Sequence, residues 1–142
     1  MTIDAPFVMQ ATAVQIGDRA LILEGPPGSG KSSLALALID RGAMLIGDDG
    51  VSIRREQDQI IASPPPNIRG SLEVRGLGLF TMPVVDAAPV GLILTLGEQG
   101  ERLPGTIPKR DIIGLRIPVL PFLPGAIAPA VRAEYAMSMY SV

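Results

Sequence analysis

The chain has 142 residues, a formal net charge of −2, 47% hydrophobic residues, and neither cysteine nor histidine. The missing cysteines exclude disulfides and thiolate metal sites, and the missing histidines remove the commonest general base and the commonest zinc ligand. The slightly acidic balance gives a nucleic-acid role no electrostatic support, and no apolar run approaches the roughly 20 residues of a membrane span. The length suits one domain over residues 1–142 with a real core. The chain start lacks a basic segment followed by an apolar one, so no signal peptide is expected and the cytoplasm is the default location.

Phe7 to Ile16 mixes apolar and polar residues and stops at Gly17-Asp18, a hairpin signal. It reads as one strand paired with Arg19–Glu24, itself a buried strand. The next eight residues, Gly25, Pro26, Pro27, Gly28, Ser29, Gly30, Lys31 and Ser32, fit the phosphate-loop pattern G-x-x-x-x-G-K-[ST] at every fixed position. Ser33 to Asp40 follows as a helix. A glycine-rich turn between strand and helix aims several backbone N–H groups into one concavity, and the helix N-terminus adds partial positive charge there. Residues 25–33 are therefore expected to bind a nucleotide, with Lys31 on the terminal phosphates and the Ser32 hydroxyl on magnesium.

The helix is expected to stop at Gly42. Ala43 to Ile46 is a short buried strand that delivers Gly47-Asp48-Asp49-Gly50 at its end. A carboxylate at such a strand end can orient magnesium, and its neighbour can take a proton from an attacking hydroxyl. A solvated turn gives the same sequence. Val51–Arg55 and Gln59–Ala62 read as a hairpin, Ser63–Pro66 as a rigid connector, and Ser71–Arg75 and Leu77–Met82 as strands flanking a glycine pair. Val90–Leu96 is strongly strand-like. Gly97–Lys109 is polar and irregular and reads as a mobile loop. Ile112–Leu120 reads as a strand ending at prolines, and Ala126–Tyr140 as a C-terminal helix. The 16 glycines and 14 prolines argue for many short strands. The expected fold is α/β, a P-loop domain with a mixed, strand-rich sheet around one helix.

Arg41 to Asp49 resembles the "RG…L…DD" segment of the HPr kinase/phosphorylase family, and Leu72-Glu73-Val74-Arg75-Gly76-Leu77-Gly78 resembles that family's signature. The order and spacing of phosphate loop, Asp pair and signature are also similar, over about residues 8 to 125. The resemblance is to the catalytic domain in its short proteobacterial form, without the separate N-terminal domain of many members. It implies a nucleotide-binding fold similar to that of phosphoenolpyruvate carboxykinases. It also implies ATP-dependent phosphorylation of a serine on HPr, the phosphocarrier of the sugar phosphotransferase system, with reversal by inorganic phosphate, and a hexamer.

By the same resemblance, Lys31 meets the nucleotide phosphates, and Ser32 and Glu73 ligate magnesium. Asp49 accepts the serine proton beside its acidic neighbour Asp48, and Arg102 acts on the moving phosphoryl group. Arg75 either orients Glu73 or binds phosphate, or forms a surface ion pair with Glu73 or Glu101. Two departures stand out. Gln10 occupies the place of a family histidine, and Ile117–Gly125 lacks the Arg and Asn of the family's "P-V-x-P-G-R-N" segment, which serves phosphorolysis and subunit contacts. Beside the protein kinase stand two other readings. One is a catalytically degenerate nucleotide-binding regulatory module; the other, ranked last for want of a metal-binding histidine or lysine set, is a small-molecule or carboxykinase-like enzyme.

Overall fold

The computed structural model describes residues 5–67 and 69–142; residues 1–4, on which the reading of the chain start rests, lie outside the described residues. The elements in chain order are β1 (Phe7–Met9), β2 (Thr12–Ile16), β3 (Arg19–Glu24), α1 (Lys31–Asp40), β4 (Met44–Gly47), β5 (Val51–Glu56), β6 (Gln59–Ser63), β7 (Ser71–Val74), β8 (Gly78–Thr81), β9 (Ala88–Leu96), β10 (Lys109–Ile112), β11 (Leu115–Phe122) and α2 (Pro129–Tyr140).

The sheet is mixed. Its order is β1-β5-β6-β9-β3-β2-β4, with β11 joined to β9 and β10 joined to β11. β3, β9 and β11 run parallel, and the other pairings are antiparallel. β3 and β9 form its centre. Both read as nearly continuous apolar runs because both of their faces are covered. One face carries Leu21, Leu23, Leu92 and Leu94 against Leu34, Ala35 and Leu38 of α1 and Ala133 and Met137 of α2. The other carries Ala20, Ile22 and Ile93 against Ile53, Ile60 and Ile117. β7 and β8 form a separate hairpin.

Two expected strands are each divided. Phe7–Ile16 bends at Gln10-Ala11, because β1 pairs with β5 while β2 pairs with β3 and β4. Two different partners claim its halves. Ile112–Leu120 turns at Ile113-Gly114, both at positive φ, which makes a β10–β11 hairpin. The prolines do not end β11, as expected from sequence, but lie inside it. Residues 115–118 pair with β10 and residues 119–122 with β9. Pro118 thus pairs only toward β10 and Pro121 only toward β9, and a residue without an N–H is tolerated at each. α2 starts later than expected, with Pro129 in its first turn, where a missing N–H costs nothing.

Leu38 is fully buried between α1 and the central strands. Leu38→Ala is expected to lower stability by about 2–5 kcal/mol, as for other leucine truncations in packed cores. Urea denaturation measures this, and a loss below about 1 kcal/mol would contradict the packing described.

Candidate functional site

β3 delivers the chain into the 25–30 loop, and α1 receives it at Lys31. The loop is a tight turn, with the Ser29 N–H donating to the Pro26 carbonyl at 3.1 Å. It packs directly on the end of β9. A Cβ on Gly25 would stand 2.8 Å from the Leu96 carbonyl oxygen and 2.7 Å from the Ser29 hydroxyl, so only glycine fits. α1 begins at Gly30 with no side-chain cap. Its first N–H groups therefore remain available to an anion at the loop. The Lys31 ammonium folds back onto the loop, donating to the Gly25 carbonyl at 2.7 Å and the Pro26 carbonyl at 3.3 Å.

Beside the loop, β4 ends at Gly47 and Asp48 turns into the protein, 7% exposed. Its Oδ1 accepts from the Ser32 hydroxyl at 2.7 Å and from the Thr12 hydroxyl at 2.9 Å, and its Oδ2 accepts from the Glu73 N–H at 3.1 Å. One buried carboxylate thus ties β2, α1 and β7 together, and three donors offset its burial. The turn that carries it is tight. A Cβ on Gly47 would collide with the Gly50 carbonyl oxygen.

A cleft of about 90 Å³ opens over the loop, lined by Gly28, Gly30, Lys31, Ser32, Ser33, Glu73 and Arg75. The β7–β8 hairpin forms one wall and also carries the exposed Leu77, Leu79 and Phe80. Lys31 and Arg75 supply positive charge to the cleft, and Glu73 and Ser32 supply oxygen atoms. Among the described residues Arg75 makes no ion pair, so the surface pairing with Glu73 or Glu101 is absent.

The sequence-based candidates divide. Gly28, Gly30, Lys31, Ser32, Ser33 and Glu73 share one cleft, with Asp48 bonded at its floor. Asp49 is exposed at φ 60°, and it is Asp48, not Asp49, that meets Ser32. Glu73 reaches Asp48 through its backbone. No group of three carboxylates stands at metal-holding distance among the described residues, so the expected convergence of Asp48, Asp49 and Glu73 is not formed. The Ser32–Asp48 pair and Glu73 still offer oxygen donors of the kind magnesium prefers. Arg102 is exposed in the segment between β9 and β10 and does not line the cleft, and Gln10 is exposed at the β1–β2 bend.

Two features escape a sequence reading. Thr12 shows no motif, and only its complete burial marks it. Glu24, the last residue of β3, accepts both arms of the Arg110 guanidinium at 2.7 Å and the Thr95 hydroxyl at 2.7 Å. A charge at the end of a buried strand, one residue before the loop, was the available signal. Burial alone would raise the Glu24 pKa; the Arg110 hydrogen bonds, then Thr95, outweigh it and hold the carboxyl below its ordinary value of 4.5. Glu24 in turn raises that of Arg110.

Residues 5–86 match the family described as "HPr Serine kinase C-terminal domain". The HPr kinase/phosphorylase of Clostridium tetani is 34% identical over 151 aligned positions, covering 94% of this chain and 49% of that protein. That of Leptospira biflexa is 31% identical over 152, covering 94% and 47%. The chain spans about half the length of the curated relatives it matches. The solved structure of the "Hpr(Ser) kinase/phosphatase from Coxiella burnetii" superimposes with a TM-score of 0.81 at 26% identity, covering 93% of this chain and 94% of that one.

The Glu24 carboxylate is depressed in the folded state, so its contribution is present above pH 4.5 and is lost as pH falls through the folded value. The stability difference between the parent protein and Glu24→Gln, measured by urea titration, is expected to be largest near pH 7 and to shrink below about pH 4.5. A difference that stays constant from pH 7 to pH 3 would rule out the bridge as described.

Proposed function

The chain belongs to the HPr serine kinase C-terminal domain family, and on that premise we propose that it transfers the terminal phosphate of ATP to a serine of HPr or a related phosphocarrier, acting in the cytoplasm as one P-loop kinase domain. The fold is read as similar to the nucleotide-binding domain of phosphoenolpyruvate carboxykinases. The observation that carries the reading is the 2.7 Å bond from Ser32, at the start of α1, to Asp48, at the end of β4. It joins the helix that follows a phosphate loop to a buried carboxylate, the pair that phosphoryl transfer needs beside a polyphosphate.

Residues 25–33 surround the phosphates and hold them by the backbone N–H groups of the non-proline residues, Pro26 and Pro27 having none. Lys31 exchanges its loop carbonyls for phosphate oxygens. Ser32 and Glu73 would hold magnesium, which when bound would neutralise phosphate charge. Asp48 keeps Ser32 in place through its other two bonds. Asp49, exposed beside it, takes the proton from the acceptor hydroxyl. Arg102, on the segment between β9 and β10, supplies positive charge to the moving group. Reversal by inorganic phosphate and a hexameric assembly belong to the same reading.

A regulatory module that binds nucleotide without transferring phosphate is the second reading. It is favoured by Gln10, which has no titrating group where the resemblance implies a histidine.

Lys31→Ala is expected to weaken MgATP binding at least tenfold. Asp49→Asn is expected to keep MgATP affinity within about twofold while slowing phosphate transfer to the phosphocarrier about 10²- to 10⁴-fold. Radiolabelled ATP with the phosphocarrier of the same organism is the assay. Tight MgATP binding by the parent protein with no labelling would select the regulatory module; failure to bind MgATP at all would remove both readings.

A further inference from the structure

The cleft over the loop is lined by glycines and polar or charged residues and offers a nucleobase no apolar face, so a bound nucleoside rests on a neighbouring surface. The sheet order decides which flank. Asp48 follows β4 on one side of β3, while β9 and β11 lie on the other. A polyphosphate with its terminal groups at Lys31, Ser32 and Asp48 directs its nucleoside away from Asp48, toward the ends of β9 and β11. Two segments border the loop on that flank. A Cβ on Gly97 would stand 3.8 Å from the Ser29 Cβ, and one on Gly30 would stand 3.8 Å from Pro124 Cγ.

Pro124 belongs to the connection from β11 to α2, residues 123–128. Its neighbours Leu123 and Ile127 are 45% and 82% exposed, although both are large and apolar. This connection is fastened in place. The Arg132 side chain donates to the Leu123 carbonyl at 3.0 and 3.1 Å, to the Ile127 carbonyl at 2.9 Å and to the Pro124 carbonyl. Its guanidinium also lies 4.9 Å above the Phe122 ring. One side chain therefore fixes three carbonyls of a short segment whose Leu123 and Ile127 stay exposed and whose Pro124 borders Gly30 of the phosphate loop. Exposed apolar side chains on a backbone fastened in advance suit the face of an aromatic ring and spare the cost of ordering that backbone on binding.

We infer that Leu123, Pro124 and Ile127 form the ledge on which the nucleobase of the bound nucleotide rests, and that Arg132 is the positioning residue that sets the ledge. The inference rests on the nucleotide-binding reading of the 25–33 loop. A second copy of the chain covering the same surface is the rival occupant, and it predicts a different outcome.

The test compares MgATP with magnesium tripolyphosphate, which has the phosphate chain and no base. Titration calorimetry is run on the parent protein, on Leu123→Ser/Ile127→Ser, and on Ile127→Glu alone, whose exposed position makes it compatible with folding. MgATP affinity is expected to fall roughly tenfold in both variants, the scale of a lost apolar contact, while tripolyphosphate affinity stays within about twofold. Arg132→Ala is expected to follow the same pattern, and Arg132→Lys to recover part of the loss. Unchanged MgATP affinity in the ledge variants overturns the inference and leaves the nucleotide reading standing. So does a change confined to oligomeric state by light scattering, which assigns the surface to a second copy. An equal loss for both ligands overturns it as well, by placing the effect in the phosphate loop. A parent protein that binds neither ligand removes the nucleotide reading and the ledge together.

Discussion

The site is organised around one buried carboxylate. Asp48 accepts from Thr12 in β2, from Ser32 in α1 and from the backbone of Glu73 in β7. These three elements come from distant parts of the chain and have no covalent reason to meet. A charge removed from water is costly unless its lone pairs are filled, so the fold that fills all three places is selected strongly over its alternatives. The same bonds fix the start of α1 and the wall of the cleft. Fold and site share this constraint, and Gly47 shares it too, because only a residue without a side chain admits the turn that presents Asp48.

The parts legible in the sequence were those whose local chemistry is decisive. The loop from Gly25 to Ser32, the helix after it and Gly42 beyond its end all followed from motif and capping chemistry. The hairpin of β5 and β6 and the strand β9 followed from alternation and apolar run length. What escaped depends on which partner a strand finds. Nothing in Phe7–Ile16 states that its first residues will pair with β5 and its last with β3 and β4. The prolines of β11 read as terminators because the sequence does not reveal that its two halves are paired on opposite sides. Within the Asp pair, residue type and spacing did not tell the two carboxylates apart, and only the family resemblance gave the proton to Asp49. The backbone at Asp49, at φ 60°, separated them into one buried and one exposed carboxylate.

The central strands carry the electrostatics as well as the core. Glu24 ends β3, and it accepts from Thr95 beside it on β9 and from Arg110 on β10. The position immediately before the phosphate loop is thus anchored by a bidentate pair, a geometry that fixes direction as well as distance. With the Leu96 carbonyl pressed close to Gly25, the loop is supported from below at its first residue and tied at its last by the Ser32–Asp48 bond.

Lys31 adds a property of a different kind. In this structure its ammonium gives two of its three N–H donors to the Gly25 and Pro26 carbonyls. An incoming anion can take the third donor at once and gains the other two by replacing the loop carbonyls. A phosphate oxygen is the stronger acceptor, so replacing a carbonyl by an anion strengthens each of these bonds. The charge is thereby held over the turn before any anion arrives, and among the described residues no carboxylate neutralises it.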